Sequence, residues 1–180
     1  MHLIKYILVF FIFINICFAD QNDRRLDSLF NLLKNSSDYE EIYKTTNKIW
    51  TIWLQTNDSN IKEDFNKGLQ FMELGYYQES ITMFTKVINK NSNFAEAWNK
   101  RATAYFIIGN FNASINDIKE VLVREPRHFG AIDGLCAIFM QMKEYEKAAK
   151  AYKEMLKIFP NDIVVKKKYN NIVALFSKSI

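Results

Sequence analysis

The stretch AEAWNKRATAYFIIGNFNASINDIKEVLVREPRH, residues 95–128, decides the fold. Its apolar residues recur at intervals of three and four: Ala95, Trp98, Ala102, Tyr105 and Ile108, then Phe111, Ile115, Ile118, Val121 and Leu122. That spacing lines one face of each of two helices, whereas a strand would alternate with period two. Gly109 stands between the two runs, where a residue able to take positive φ ends the first helix, and Pro126 punctuates the end of the second. The stretch therefore predicts one tight αα-hairpin.

Shifting the sequence by 34 residues superposes like on like on both sides of this hairpin. Phe71, Tyr105 and Phe139 align, as do the small residues Gly68, Ala102 and Cys136. Tyr77, Phe111 and Tyr145 match as rings, Ser80, Ser114 and Ala148 as small residues, and Phe84, Ile118 and Tyr152 as bulky apolar residues. The small positions let the partner helix approach, and the rings fill the space beside them. One hairpin cannot bury its own face, so residues 61–160 predict three stacked units, at 61–94, 95–128 and 129–162.

Further stripes flank the stack. Leu26, Leu29, Phe30 and Leu33 mark one helix, and Tyr39, Ile42, Tyr43, Ile49, Trp50 and Trp53 a second. Residues 20–56 are thus expected as a divergent first hairpin that extends the stack. Ile163, Tyr169, Ile172, Val173 and Phe176 give a capping helix over 162–178, its other face polar through Lys166, Lys167 and Lys178. The mature chain should be all-α, an αα-hairpin solenoid of about nine helices.

Residues 1–19 have the grammar of a secretory leader: Lys5, an apolar run from Tyr6 to Ile16, then Cys17, Phe18 and Ala19. Cleavage is expected between Ala19 and Asp20. The run is shorter than the roughly 20 residues that span a bilayer, so a membrane tether through an uncleaved leader is the alternative. Export to a bacterial periplasm fits the leader together with the heavy use of Lys, Asn and Ile. A net charge of +4, reduced by one when Lys5 leaves with the leader, is too small to imply nucleic acid. With Cys17 removed, Cys136 has no disulfide partner, and His128 alone cannot build a zinc cage. The five glycines form no phosphate loop, and no cofactor is implied.

The unit at 95–128 resembles the tetratricopeptide repeat: Trp98, Ala102, Tyr105, Gly109, Phe111, Ser114, Ile118, Val121 and Pro126 fall on that family's signature places. The first unit departs at Asp64 and Ser92, and the third has Lys143 for the inter-helix glycine. The resemblance implies a right-handed superhelix whose first helices line a concave groove, and a non-enzymatic role in binding a protein or peptide there. The groove places would be held by Phe65, Leu69 and Met72, by Asn99, Thr103 and Phe106, and by Asp133, Ala137 and Met140, preceded in their helices by Lys62, Glu96 and Gly130. Some members grip a peptide C-terminus through Lys and Asn at these places, but Phe65 and Leu69 stand there instead. An apolar floor suits an apolar or helical segment; the alternative is that some of these residues are covered by the N-terminal helix of Trp50 and Trp53.

One polar constellation breaks the pattern. Arg101 occupies a normally apolar place, Asp117 lies on the following helix, and Glu125, Arg127 and His128 follow closely. A buried Arg needs an acid, which predicts a salt-bridged joint between the second and third hairpins. The alternative is an anion site in which Arg101, Arg127 and His128 grip a carboxylate or phosphate. Hydrolytic chemistry around His128 would be its enzymatic extension, but it lacks a nucleophile. Cys136, at a small position of the packed interface, reads as packing.

Overall fold

The computed structural model describes residues 21–178, which leaves the leader and its expected cleavage site outside the described residues. Nine helices follow one another among them: α1 (Arg25–Asn35), α2 (Tyr39–Trp53), α3 (Ser59–Glu73), α4 (Tyr77–Lys90), α5 (Ala95–Ile107), α6 (Phe111–Arg124), α7 (Phe129–Gln141), α8 (Tyr145–Ile158) and α9 (Ile163–Ser177). Each of the pairs α3/α4, α5/α6 and α7/α8 is a hairpin closed in the same way. Tyr76, Asn110 and Glu144 each donate a backbone N–H to the carbonyl five residues back, at 2.8–2.9 Å. This motif requires a left-handed residue just before the donor. Gly75 and Gly109 supply it with φ of 78° and 77°, and Lys143 is held there at 58°.

Starts are set by side-chain caps. Asp38, Asp58 and Asp162 each accept two backbone N–H groups from the first turn of α2, α3 and α9. His128 caps α7 with its ring, Nδ1 accepting from Ala131 N at 3.1 Å.

The small-against-large rule operates inside each hairpin. A Cβ on Gly68 would stand 2.6 Å from the Phe84 ring, so only glycine lets α4 approach there. In the second hairpin, Ser114 Oγ donates to the Ala102 carbonyl at 2.7 Å, a bond that needs the same close approach. Among the units, α3 meets α5 and α5 meets α7 directly, while α4, α6 and α8 share no comparable contact. The stack therefore curves toward the first helices, which form its inner wall, and α9 closes the end against α8.

The N-terminal hairpin departs from the expected stacking. Instead of lying on α3 as one more layer, α1 and α2 fold across the edge of the stack where its inter-unit loops lie, and share one core with α7, α8 and α9. Leu26, Phe30, Leu33, Ile49, Ile52 and Trp53 are buried there with Phe129, Ile132, Ile158 and Phe159. Physically, the rings of α2 find partners on α7: Trp53 stacks on His128 at 4.1 Å and meets Phe129 at 4.9 Å. The long polar connector at 54–58 lets α2 end away from α3.

Candidate functional site

Between α5 and α7 the inner wall carries a cleft of about 90 Å³, lined by Asn99, Ala102, Thr103, Phe106, Ser114, Ile118, Gly130, Ala131, Gly134 and Ala137. Four of the nine groove residues expected from sequence meet here: Asn99, Thr103, Phe106 and Ala137. Thr103 is exposed, and Phe106 packs its ring against Phe111 at 5.8 Å while remaining partly open. The floor is small because Ala102, Ala137 and Gly134 present no bulk.

Other expected groove residues are placed differently. Phe65 is only 2% exposed, closed between Phe84 and Phe94, so it belongs to the core of the first unit and cannot meet a partner. Phe94, the last loop residue before α5, folds over it. Leu69 and Met72 pack partly buried against that same cluster. Asn99 is mostly buried and gives its amide to Glu96. Asp133 pairs with Lys168 of α9, and Met140 packs against the core shared with the N-terminal hairpin.

Beside the cleft, one turn back from Asn99 along α5, stands a buried carboxylate, Glu96. Glu96 is fully enclosed and takes His128 Nε2 at 2.9 Å, Asn99 Nδ2 at 3.1 Å and Lys100 Nζ at 3.2 Å. Since His128 Nδ1 accepts from Ala131 N–H, Nε2 carries the ring hydrogen and points it at Glu96. Burial alone would raise the Glu96 carboxyl, but the His128 hydrogen bond, the charge of Lys100 and the Asn99 amide hold it below the ordinary value. Trp53 covers His128, and Trp50 lies over Gly130 with the Lys100 ammonium 5.4 Å from its ring. The cover by the Trp50 and Trp53 helix that the sequence allowed as an alternative thus falls on Gly130, a position the sequence did not single out for it. The available signal was a glycine in α7 at the place where α3 and α5 carry Lys62 and Glu96.

The polar constellation separates into two pieces. Arg101 binds Asp117 through two bonds of 2.7 and 2.8 Å and donates its remaining nitrogen to Thr85 Oγ1 at 2.9 Å, beneath the rings of Trp98 and Tyr105. Burial opposes its charge, yet the Asp117 hydrogen bond and charge outweigh that and raise the guanidinium above its ordinary value. The joint thus ties the second hairpin to α4 of the first, not to the third, because Arg101 points toward the preceding unit. Arg127 is engaged elsewhere, by Glu125 at 2.9 Å and by Asp27 of α1 at 2.8 Å, with Phe30 under its guanidinium. With the guanidinium nitrogens of both arginines and both ring nitrogens of His128 already bonded, these residues do not converge on an anion. Cys136 is buried, and burial pushes its thiol up to about 11, which leaves little thiolate at neutral pH. No helix among the described residues is long and apolar enough to cross a membrane.

Comparison with known proteins gives the same architecture. The family model described as tetratricopeptide repeat matches residues 95–128 and 137–162. A TPR repeat-containing protein of Rhizobium etli is 31% identical over 147 residues, covering 82% of this chain and 72% of that protein. Hsp70-Hsp90 organizing protein 1 of Glycine max is 29% identical over 96 residues, 53% of this chain but only 17% of its own length. Among solved structures, the first TPR of Spaghetti (RPAP3) bound to the HSP90 peptide SRMEEVD superposes with a TM-score of 0.60 at 22% identity, over 67% of this chain and 96% of that one. A crystal structure of MamA protein gives 0.56 at 19% identity, over 84% of this chain and 90% of that one. At these identities the structural likeness speaks for the fold.

Proposed function

The chain belongs to the tetratricopeptide repeat family, and from that membership we propose that it is a non-enzymatic scaffold holding a protein or peptide segment in the cleft between α5 and α7. The observation that carries this reading is the cleft itself: an apolar floor of Ala102, Ala137 and Ile118 edged by the exposed Thr103 and the open face of Phe106. Such a surface takes an apolar side chain of a partner while polar neighbours orient its backbone. A related protein is seen with an HSP90 peptide, but Phe65 and Leu69 stand where a clamp for a peptide carboxylate would need Lys and Asn. The partner is therefore expected to be an apolar or helical segment, not an acidic C-terminus.

We also propose that the chain works outside the cytoplasm, in a bacterial periplasm, on the strength of the leader-like residues 1–19. Sequencing the N-terminus of the protein from its native cells tests this. A start at Asp20 supports it, and a start at Met1 in the membrane fraction favours the tethered alternative.

The groove is tested with a photo-cross-linking amino acid placed in cells at Phe106 or at Val123, which is 77% exposed on α6. Adducts should form from position 106 and not from 123. The change Phe106→Glu should then abolish binding of the identified partner with the helical circular dichroism unchanged. Equal adducts from both positions, or binding retained by Phe106→Glu, would refute the groove.

A further inference from the structure

We propose that the N-terminal hairpin is a brace that fixes the step between successive repeats, and with it the geometry of the inner wall. Three residues occupy the same place in successive units, 34 residues apart: Asn93, Arg127 and Asn161. Asn93 and Arg127 lie in the loops that join the three units and Asn161 in the loop from the third unit to α9, and each is bonded to the segment around α1. The Asn93 carbonyl accepts from Gln21 Nε2, Arg127 binds Asp27, and Asn161 Nδ2 donates to the Lys34 carbonyl at 3.2 Å.

Asp27 and Lys34 are seven residues apart on α1, about 10 Å at the helical rise, and neighbouring packed helices lie roughly 8–10 Å apart. The helix thus measures out one repeat step between the second and third loops, and Gln21, six residues before Asp27, reaches back to the first. A rigid helix bonded to two of these loops, with Gln21 just ahead of it bonded to the other, restrains the units from sliding or splaying past one another. Its partner α2 adds a wedge on the inner wall: Trp50 seats on Gly130 of α7 while the Lys100 ammonium of α5 lies over its ring. Stacked hairpins contact only their neighbours and flex along their length, so a crosswise element of this length acts on the one freedom such a stack retains. The inference holds whether or not the cleft takes a peptide.

The test measures the repeat step directly. Glu73 and Gln141 are exposed and occupy equivalent places in the first and third units. In the full chain carrying Cys17→Ser and Cys136→Ala, nitroxide labels at Glu73→Cys and Gln141→Cys report the distance across two steps by electron spin resonance. The brace predicts one narrow distance distribution.

Adding Trp50→Ala and Trp53→Ala should strip α1 and α2 of amide-exchange protection, leave α3–α8 protected, and broaden the distribution by the slip of about 1–2 Å that packed helices allow at each joint. Should that variant unfold, the milder set Gln21→Ala, Asp27→Ala and Asn161→Ala removes the three loop bonds alone and must still broaden it. Unprotected α1 and α2 with an unchanged distribution would overturn the brace. So would an unchanged distribution in the milder variant, or α1 and α2 that keep full protection without both tryptophans.

Discussion

Two glycines four residues apart on α7 should respond in opposite ways to the same change. An added Cβ at Gly134 would meet only Ile118 Cδ1, at an ordinary 3.6 Å. Gly134→Ala therefore gains helix propensity without strain and should stabilise by about 0.5–1 kcal/mol. At Gly130 the same Cβ would stand 2.5 and 2.8 Å from the far edge of the Trp50 ring. That ring is held edge-on by Trp53, His128 and Phe129 at 5.3–5.5 Å, so it can yield only outward and by giving up those contacts. Overpacking of this kind costs about 1–3 kcal/mol and outweighs the propensity gain. Gly130→Ala should lower stability by roughly 1–2 kcal/mol, or about 2–8 °C in melting temperature for a chain of this size. Urea titration followed by tryptophan fluorescence measures both variants, and Gly130→Ala should also red-shift the folded emission as Trp50 is pushed outward. If both variants were stabilised equally, Trp50 would not sit on α7 and the docking of the N-terminal hairpin would be wrong.

Arg101→Met should cost about 3–5 kcal/mol because it leaves the Asp117 carboxylate buried without its partner, and adding Asp117→Leu should recover most of that; thermal melts of the single and double variants check it. Glu96 is held below the ordinary carboxylate value of 4.5, so the unfolded chain binds its proton first. Its contribution is fully present above that value and is lost as pH falls through the lower folded one. An acid series of urea titrations should show this loss below about pH 4.5 in the native chain and a flatter limb in Glu96→Gln. Lys143 sits at a φ of 58° where the sister turns use glycine; Lys143→Gly should stabilise by up to about 1 kcal/mol in the same urea assay, relief of left-handed strain exceeding the added chain entropy.

The repeat could be read from sequence because its determinants are local and recur. Gly68 against Phe84, Ala102 against Ser114, and the turn residues Gly75 and Gly109 each act within one hairpin, so spacing alone reveals them. The N-terminal hairpin was legible as two helices for the same reason, since Leu26, Phe30 and Leu33 mark an amphipathic stripe whatever they pack on. Its destination was not. Periodicity says that a face is buried, not against what, and the contacts that decide it join residues some 75–130 positions apart: Trp53 to His128, Asp27 to Arg127, Lys34 to Asn161. The same limit explains Phe65, whose cover is the loop residue Phe94 rather than another residue of the helical stripe. Arg101 was recognisable as needing an acid, and Asp117 was one of two within reach. The direction of the joint was set by Thr85, a residue with no sequence signal of its own.

The central claim is that α1 and α2 lie crosswise on the stack instead of extending it, and lysine cross-linking tests it most directly. Lys34 of α1 and Lys157 of α8 line one shared cleft of about 440 Å³, although the sequence separates them by three hairpins. Treating the monomeric protein with a short amine-reactive cross-linker and sequencing its peptides should yield a Lys34–Lys157 link. Links from Lys34 confined to the α3/α4 hairpin, at Lys62 or Lys67, would mean that the first hairpin stacks as an ordinary layer and would contradict the account.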